Sequence, residues 1–441
     1  MDSEPSTDVV ASLLDRLPTG RLRLVVIGQG YVGLSLAAAA AVEGLDVHGI
    51  DIDAARVGAL SRGESVVPGV DDGVFAMATD SGRLSFGTDF ARVADADVVV
   101  ICVPTPITDH RPDLGAVEGA SRLVSQMLRP GQLVILESTT YPGTTEQVVQ
   151  PLLEASGLRA GDDFLLAFSP ERIDPGNTKY GLRNTPRVVG GIDARATAAA
   201  GAFYRLLVDD VTELSSARSA ELAKLLENTF RMVNIALVNE LARQCHDQGI
   251  DVWEVIRAAA TKPFGFMPFQ PGPGVGGHCI PLDPTYLAWQ SHRDTGRRFR
   301  LVELAQDINA EMPDYVCRRI VDALGERGVS VRDASVLALG VTYKPNVGDL
   351  RESAAVETLA QLARRGVKVS FHDPFVERLE SHGLSLERSE LSADVLAQAD
   401  AVALLTPHDV YDLQWLQGGA KLVFDARNAL GVRGDERVVT L

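Results

Sequence analysis

The chain has 441 residues, 46% of them hydrophobic and 23% charged, with a formal net charge of −17 at pH 7. That length is too great for one core and sets two or three domains as the expectation. An acidic surface repels phosphate backbones, which argues against nucleic acid as a partner, and no apolar run reaches the roughly 18 residues of a membrane helix.

The opening, MDSEPSTDVVASLLDRLPTG, is acidic and lacks the basic region and apolar stretch of a secretory signal. Residues 1–20 are expected to be a flexible tail with at most one short amphipathic turn. LRLVVI at 22–27 reads as a strand, followed at once by GQGYVG and then by a helix, LSLAAAAAVEG. DVHGIDID is a second strand ending in acids. DVVVICVPTP at 97–106 and QLVILEST at 132–139 are further buried strands, and DLGAVEGASRLVSQML between them has helical spacing. FLLAFSPER at 164–172 and RVVGG at 187–191 extend the set. Strands alternating with helices predict a parallel sheet covered on both faces.

From Ser216 to Gln248 there is no Pro or Gly, and apolar residues recur three and four apart, which predicts one long helix bracing two domains or a dimer. LVELAQDINAEM is a later helix. SVLALG (335–340), KVSFHD (368–373), AVALL (401–405) and KLVFDARN (421–428) then form a second alternating section. The fold class is α/β: two Rossmann-like doubly wound domains joined by a long central helix. The expected divisions are a tail at 1–20, a dinucleotide domain at 21–212, a central helical region at 213–312 and a second Rossmann-like domain at 313–441.

Gly28, Gly30 and Gly33 form GxGxxG between a strand and a helix. The first glycine permits a tight turn, the second lets backbone approach a pyrophosphate, and the third lets helix and strand pack closely. The free N–H groups of the helix N-terminus attract phosphate. Asp51, about 20 residues on, ends the second strand, where a carboxylate binds both ribose hydroxyls and repels a 2′-phosphate. NAD is therefore expected over NADP. The alternative is a purely structural glycine turn.

Cys102, Cys245, Cys279 and Cys317 are scattered, which argues against a disulfide framework and for a reducing cytoplasm. Cys279 follows a glycine-rich loop, GPGVGGHC, and three readings are open: an inert buried thiol, a metal ligand, or a nucleophile. A metal is poorly supported, because His278 and Cys279 are adjacent and no partner has ligand spacing. Gly274, Gly276 and Gly277 would let the loop approach a ligand closely. A thiolate together with NAD suggests aldehyde oxidation through a thiohemiacetal and a thioester. Lys224 and Asn228, four apart on the long helix, share a face and could stabilise an oxyanion; a solvated helix face is the competing reading.

GQGYVGLSLA, ESTTYPGTTE, FSPERIDPGN, ELAKLLENTFRMVNIALVNE, GVGGHCIPLDP and GVTYKPNVGDLRES together resemble the UDP-glucose/GDP-mannose dehydrogenase family, over about residues 22 to 430. The resemblance implies NAD bound by the first domain, a UDP-sugar bound by the C-terminal one, and a homodimer or higher homo-oligomer. It implies a four-electron oxidation at sugar C6 with two NAD⁺ in turn. Cys279 would add to the aldehyde, and water would release the acid from the thioester. Lys224 and Asn228 would steady the C6 oxygen. Asp283 would pair with Lys224 or position water, Thr140 would hold a water near C6, and Glu171 would act as a base in thioester hydrolysis.

The same resemblance places Gly28, Gly30, Tyr31, Val32, Gly33, Asp51, Arg56, Thr105, Thr140 and Arg351 against the cofactor. It places Glu171, Arg172, Lys224, Asn228, Lys262, Phe269, Gly276, Tyr343 and Lys344 against the substrate, with Arg427 a weaker candidate at the uridine diphosphate end. KPFGFMPF at 262–269 would pack over the sugar, across a dimer interface or within one chain. No metal is implied. The UDP-glucose branch carries a second glutamate where this chain has Pro175, and the motifs look most like bacterial UDP-N-acetylglucosamine 6-dehydrogenases. UDP-N-acetyl-D-glucosamine is the expected substrate. UDP-N-acetyl-D-mannosamine, a galactosamine epimer and UDP-glucose follow, and an NAD-binding redox sensor is the non-enzymatic alternative. Capsule, lipopolysaccharide, cell-wall polymer and antibiotic biosynthesis would all use the product.

Overall fold

The computed structural model describes residues 9–108, 111–174, 177, 179–277 and 279–441, so His278 and Pro175 lie outside the described residues. The chain divides into two compact units, Met1–Glu227 and Asn228–Leu441.

The first unit is built on an eight-stranded sheet. From one edge its strands are Val211–Glu213, Arg187–Gly191, Leu165–Phe168, Leu133–Leu136, Val98–Ile101, Arg23–Ile27, Asp46–Ile50 and Leu84–Gly87. Six of these run parallel as expected. Arg187–Gly191 pairs antiparallel with Leu165–Phe168, and Val211–Glu213 follows its direction, so one edge of the sheet is reversed. The central strands are buried on both faces, which is why they read as unbroken apolar runs. The helix Tyr31–Val42 is apolar on nearly every side, and most of its length is buried. Its Ala37, Ala38, Ala40 and Ala41 are sequestered in the core, where small side chains let helix and sheet approach closely.

Part of the expected tail is ordered. Val9–Arg16 is a helix whose Val10 and Leu13 are buried in the main core with Leu17 beyond them, and Arg16 pairs with Asp97 at 2.8 Å. The apolar spacing in VVASLL supplies one face, and that face had a core to join.

The second unit holds a five-stranded parallel sheet in the order Lys368–His372, Ser335–Leu339, Ala401–Leu404, Val423–Asp425 and Val438–Thr440. A hairpin, Arg378–Ser381 with Leu384–Glu387, accompanies it. The helix expected around LVELAQDINAEM runs from Arg300 to Glu326, through Pro313. The long helix is present as Ala217–Asp247, and the boundary between the units falls within it.

The two sheets follow one plan in detail. Asp97, just before its strand, accepts the Arg23 N–H at 2.9 Å; Asp400 accepts the Ser335 N–H at 2.9 Å from the same place in the second sheet. Gly28 and Gly340 each end the first strand at positive φ (91° and 75°), and a Cβ on either would strike a carbonyl, that of Cys102 or Thr406.

Candidate active site

The sheet order of the first unit reverses between Arg23–Ile27 and Val98–Ile101, and the loops after these strands flank the crevice where doubly wound sheets take their ligands. Gly28 makes the turn. Gly33 is dictated by packing, since a Cβ there would lie 1.9 Å from the Gly28 carbonyl oxygen. Gly30 is different: a Cβ there would meet nothing within 4 Å. Gly30 also caps the helix Tyr31–Val42 with no side-chain hydrogen bond, so its first turn offers backbone donors to an anion. Asp51 is buried at the end of the second strand and accepts the N–H of Gln29 (2.8 Å), the N–H of Asp53 (2.9 Å) and an Arg56 guanidinium N–H (2.9 Å). It thus ties the glycine turn to the place where a ribose would rest, with Arg56 on the solvent side. Open space over Gly30 and an uncapped helix start beside a carboxylate fit a dinucleotide.

Thr105 and Thr140 follow the next two strands of the sheet. The Thr105 hydroxyl donates to the Thr139 carbonyl at 2.8 Å. The Thr140 hydroxyl is buried and, among the described residues, has no hydrogen-bond partner. A buried hydroxyl left unpaired is uncommon and points to a ligand or water. Its loop is fastened by a residue the sequence did not advertise. Glu221, fully buried on the long helix, accepts the N–H of Gly143 (2.5 Å), the N–H of Thr145 (2.9 Å) and the Thr145 hydroxyl (2.7 Å). Burial pushes the Glu221 carboxyl up to about 7, against those three bonds.

One turn along the helix from Glu221, Lys224 is buried and donates from Nζ to the main-chain carbonyl of Glu171 at 2.7 Å. The Glu171 carboxylate faces inward. Its Oε1 accepts the N–H groups of Arg172 and Ile173, both at 2.6 Å, and its Oε2 accepts from Arg187 at 2.9 Å. Burial nevertheless raises its pKa. Arg187, buried itself, also binds Ser169 and Glu137, and Glu137 accepts the Tyr204 hydroxyl at 2.5 Å and the Cys102 thiol at 3.0 Å. Burial drives the Cys102 thiol far above its ordinary range, so it is an inert neutral donor. Arg172 binds Glu227 at 2.7 Å and the Pro186 carbonyl at 2.6 Å.

The second unit collects the other candidates. Cys279 is exposed at the first position of the helix Cys279–Thr295, where the helix dipole favours negative charge. Asp283, one turn on and buried, accepts from the Asn228 side-chain amide at 2.5 Å. The glycines before Cys279 have a packing reason. A Cβ on Gly276 would lie 2.5 Å from the Glu352 carbonyl oxygen, and one on Gly277 would lie 2.7 Å from the Tyr343 ring. They let the cysteine loop lie against the Tyr343–Glu352 segment, and the Gly277 N–H donates to the Arg351 carbonyl at 3.1 Å. Arg351 forks onto Asp349 and contributes to the field at Cys279. Arg427 lies against Gly272, and burial lowers its pKa to about 10. Phe269 packs edge-on against Phe230 at 5.8 Å, while Lys262 sits over the Phe264 ring on an exposed segment.

Tyr343 and Lys344 lie on the loop after Ser335–Leu339. His408 and Asp373, absent from the sequence reading, are buried beneath that loop and are 3.0 Å apart. Burial alone would raise Asp373; hydrogen bonds from His408 and from the Val341 and Phe375 N–H groups outweigh it and hold the carboxyl below its ordinary value. The candidates thus form two sets. Tyr31, Val32 and the first-unit residues above surround the glycine turn and the Thr140 loop, and the Cys279 and Tyr343 loops form the second set.

Residues 22–208, 218–311 and 337–432 match, in order, the NAD binding, central and UDP binding domains of the UDP-glucose/GDP-mannose dehydrogenase family. The chain belongs to that family. It is an NAD-dependent UDP-sugar dehydrogenase, an oxidoreductase. It is 35% identical over 417 residues to a UDP-N-acetyl-D-mannosamine dehydrogenase of Pyrococcus horikoshii, covering 93% of this chain and 96% of the relative. It is 38% identical over 358 residues to a UDP-N-acetyl-D-glucosamine 6-dehydrogenase of Pseudomonas aeruginosa, covering 80% and 83%. Among solved structures, a UDP-D-ManNAc dehydrogenase from Pyrococcus horikoshii matches with a TM-score of 0.84 at 33% identity, over 94% of this chain and 97% of the other. Among the described residues no helix is long and apolar enough to cross a membrane.

Proposed function

We propose that this dehydrogenase oxidises a UDP-N-acetylhexosamine, UDP-N-acetyl-D-glucosamine first, at C6 to the uronic acid. The observation that carries the chemistry is an exposed Cys279 thiol at a helix start, one turn from the buried Asn228–Asp283 pair. NAD, when bound, takes up one hydride at each of the two oxidations. Gly28, Gly30, Gly33, Asp51, Arg56 and Thr105 would hold it.

Lys224 and Asn228 donate to the C6 oxygen as negative charge develops there. The Cys279 sulfur then adds to the aldehyde carbon, and the proton of the thiol passes to the oxygen or to solvent. The adduct still carries the hydrogen that the second oxidation removes, which leaves a thioester. Water attacks that carbon, the carbon–sulfur bond breaks, and the thiol takes back a proton as the acid leaves. Thr140 and Asp283 orient water. Glu171, whose carboxylate is held by three donors, serves as a base after releasing one of them. Tyr343, Lys344 and Arg427 hold the diphosphate end, with Lys and Arg suited to phosphate on an acidic protein.

The glucosamine assignment rests on the motifs around Glu171, Lys262, Cys279 and Lys344 and on the Pseudomonas relative. The mannosamine epimer is the second reading, favoured by a relative matching nearly the whole chain. We place the reaction in the cytoplasm, in keeping with the scattered placement of Cys102, Cys245, Cys279 and Cys317 along the sequence. A second copy of the chain is the proposed partner. Phe230 and Leu237 on the long helix, with Leu301 and Leu304 nearby in sequence to the packed Val302 and Ala305, present large apolar side chains to solvent.

The test is a panel of UDP-sugars with NADH counted against sugar consumed. About two NADH per sugar with one acetamido sugar preferred supports the reading, and Cys279→Ser should abolish the full turnover. No NADH from any sugar, or full four-electron turnover by the serine variant, would refute it.

A further inference from the structure

The second unit contains a buried imidazole that the reaction above does not use. His408 has no exposed side chain, and its Nε2 stands 3.0 Å from Asp373 Oδ2. Its Nδ1 accepts the backbone N–H of Asn346 at 2.9 Å, so the ring proton belongs on Nε2, facing the carboxylate. Asp373 is itself anchored by the Val341 and Phe375 N–H groups, at 2.8 and 2.9 Å. The rings of Phe375 and Tyr411 flank the imidazole at 5.1 and 5.5 Å.

The far end of this chain of contacts is the loop carrying Tyr343 and Lys344. Asn346 holds φ at 63°, a conformation that non-glycine residues seldom take. Its side chain exchanges two hydrogen bonds with Asp409, at 2.8 and 3.0 Å. Thr406 donates to the Thr342 carbonyl at 2.7 Å, and Thr342 donates to the Lys344 carbonyl at 3.0 Å. The segment Thr406–Asp409 therefore fastens the loop at several points. Among them, the imidazole reaches the backbone of Asn346 from a rigid, buried side chain.

We propose that His408 is a positioning residue for the nucleotide end of the substrate. Its Nδ1 fixes the Asn346 backbone, and with it the loop that presents Tyr343 and Lys344. This rests on the reading that those two residues hold the uridine diphosphate. An unfastened loop must be ordered when the nucleotide binds, so losing the bond weakens affinity without touching the reacting carbon.

Asparagine and glutamine separate the two nitrogens. An asparagine oxygen stands near the place of Nδ1 and can still accept from Asn346; a glutamine amide stands near Nε2 and can still donate to Asp373. UDP is titrated calorimetrically into full-length His408→Asn, His408→Gln and Lys344→Ala, with NADH binding measured on each. We expect His408→Asn to bind UDP within about threefold of the parent and His408→Gln about tenfold more weakly, one lost hydrogen bond. The defect should raise KM for the UDP-sugar and leave kcat and NADH affinity in place. Equal UDP affinity for the two histidine variants would overturn the proposal. So would joint loss of UDP and NADH binding, which would mark a general folding role. Unchanged affinity in Lys344→Ala would remove the underlying reading of the loop; weakening there with none in His408→Gln would sink the role of His408 alone.

Discussion

Replacing Glu221 by glutamine tests how a buried carboxylate sets the stability of the first unit. In the fold its carboxyl is pushed up to about 7 by burial, although Gly143 and Thr145 donate three hydrogen bonds to it. An unfolded glutamate ionises near ~4.5. Between those values the folded chain keeps a proton that the unfolded chain has released, so stability falls as pH rises. The contribution is whole below ~4.5 and gone once pH has passed about 7. A gap of roughly 2.5 units at ~1.36 kcal/mol each gives about 3 kcal/mol. Glutamine does not titrate, and its amide faces the Gly143 N–H that the carboxylate accepted, so it carries a fixed penalty at every pH instead. Trp253, Trp289 and Trp415 all lie beyond Glu227, and tryptophan emission therefore does not report this unit. Pulse proteolysis in urea does. From pH 4.5 to 8 the parent should lose about 3 kcal/mol relative to Glu221→Gln. A difference between the two proteins that stays flat across that range would refute the argument.

The glycine turn offers a paired test. Gly33→Ala places a Cβ 1.9 Å from the Gly28 carbonyl oxygen and should destabilise the first unit by several kcal/mol, on the order of ~3. Gly30→Ala meets no protein atom and should keep its melting temperature while weakening NADH binding tenfold or more, read by NADH fluorescence. Equal effects on both quantities in both variants would count against the distinction. Arg187→Met leaves Glu137 and Glu171 as buried carboxylates without their shared cation, and should cost about 3–5 kcal/mol in urea unfolding. Adding Glu137→Gln should restore part of that loss, and a single-variant effect under ~1 kcal/mol would show the cluster to be slack.

What could be read from the sequence was local. The glycine turn and Asp51 are encoded by short spacing, and the sheet strands by apolar runs. The long helix follows from its period and its lack of breakers. What escaped depends on partners far apart in the chain. Glu221 meets Gly143 and Thr145 across more than seventy residues, Arg187 meets Glu137 across fifty, and His408 meets Asp373 across thirty-five. On a helix with apolar spacing, Glu221 looks like any solvated carboxylate. Strand direction at a sheet edge leaves no mark in composition, so the reversal at Arg187–Gly191 had no signal. The short helix at Val9–Arg16 did have one, its VVASLL spacing, outweighed by the acidic residues around it. Gly274, Gly276 and Gly277 are expected from the sequence to bring the loop close to a ligand; in the structure Gly276 and Gly277 bring it close to Tyr343 and Glu352, partners that sequence spacing does not reveal.

Asp51 and Asp373 end corresponding strands of the two sheets, and their lone pairs are engaged differently. A carboxylate has about four acceptor positions. Asp51 receives three donors, one of them the part-exposed guanidinium of Arg56. Asp373 receives four: Val341, Thr342, Phe375 and the imidazole. The four are unevenly shared: Val341, Thr342 and the imidazole crowd onto Oδ2, and Phe375 reaches Oδ1. Where Asp51 meets a part-exposed guanidinium that can swing out into water, Asp373 meets a ring sealed in the interior. Of two strand-ends cut to the same pattern, the first can exchange a donor for a ribose hydroxyl at little cost, and the second cannot.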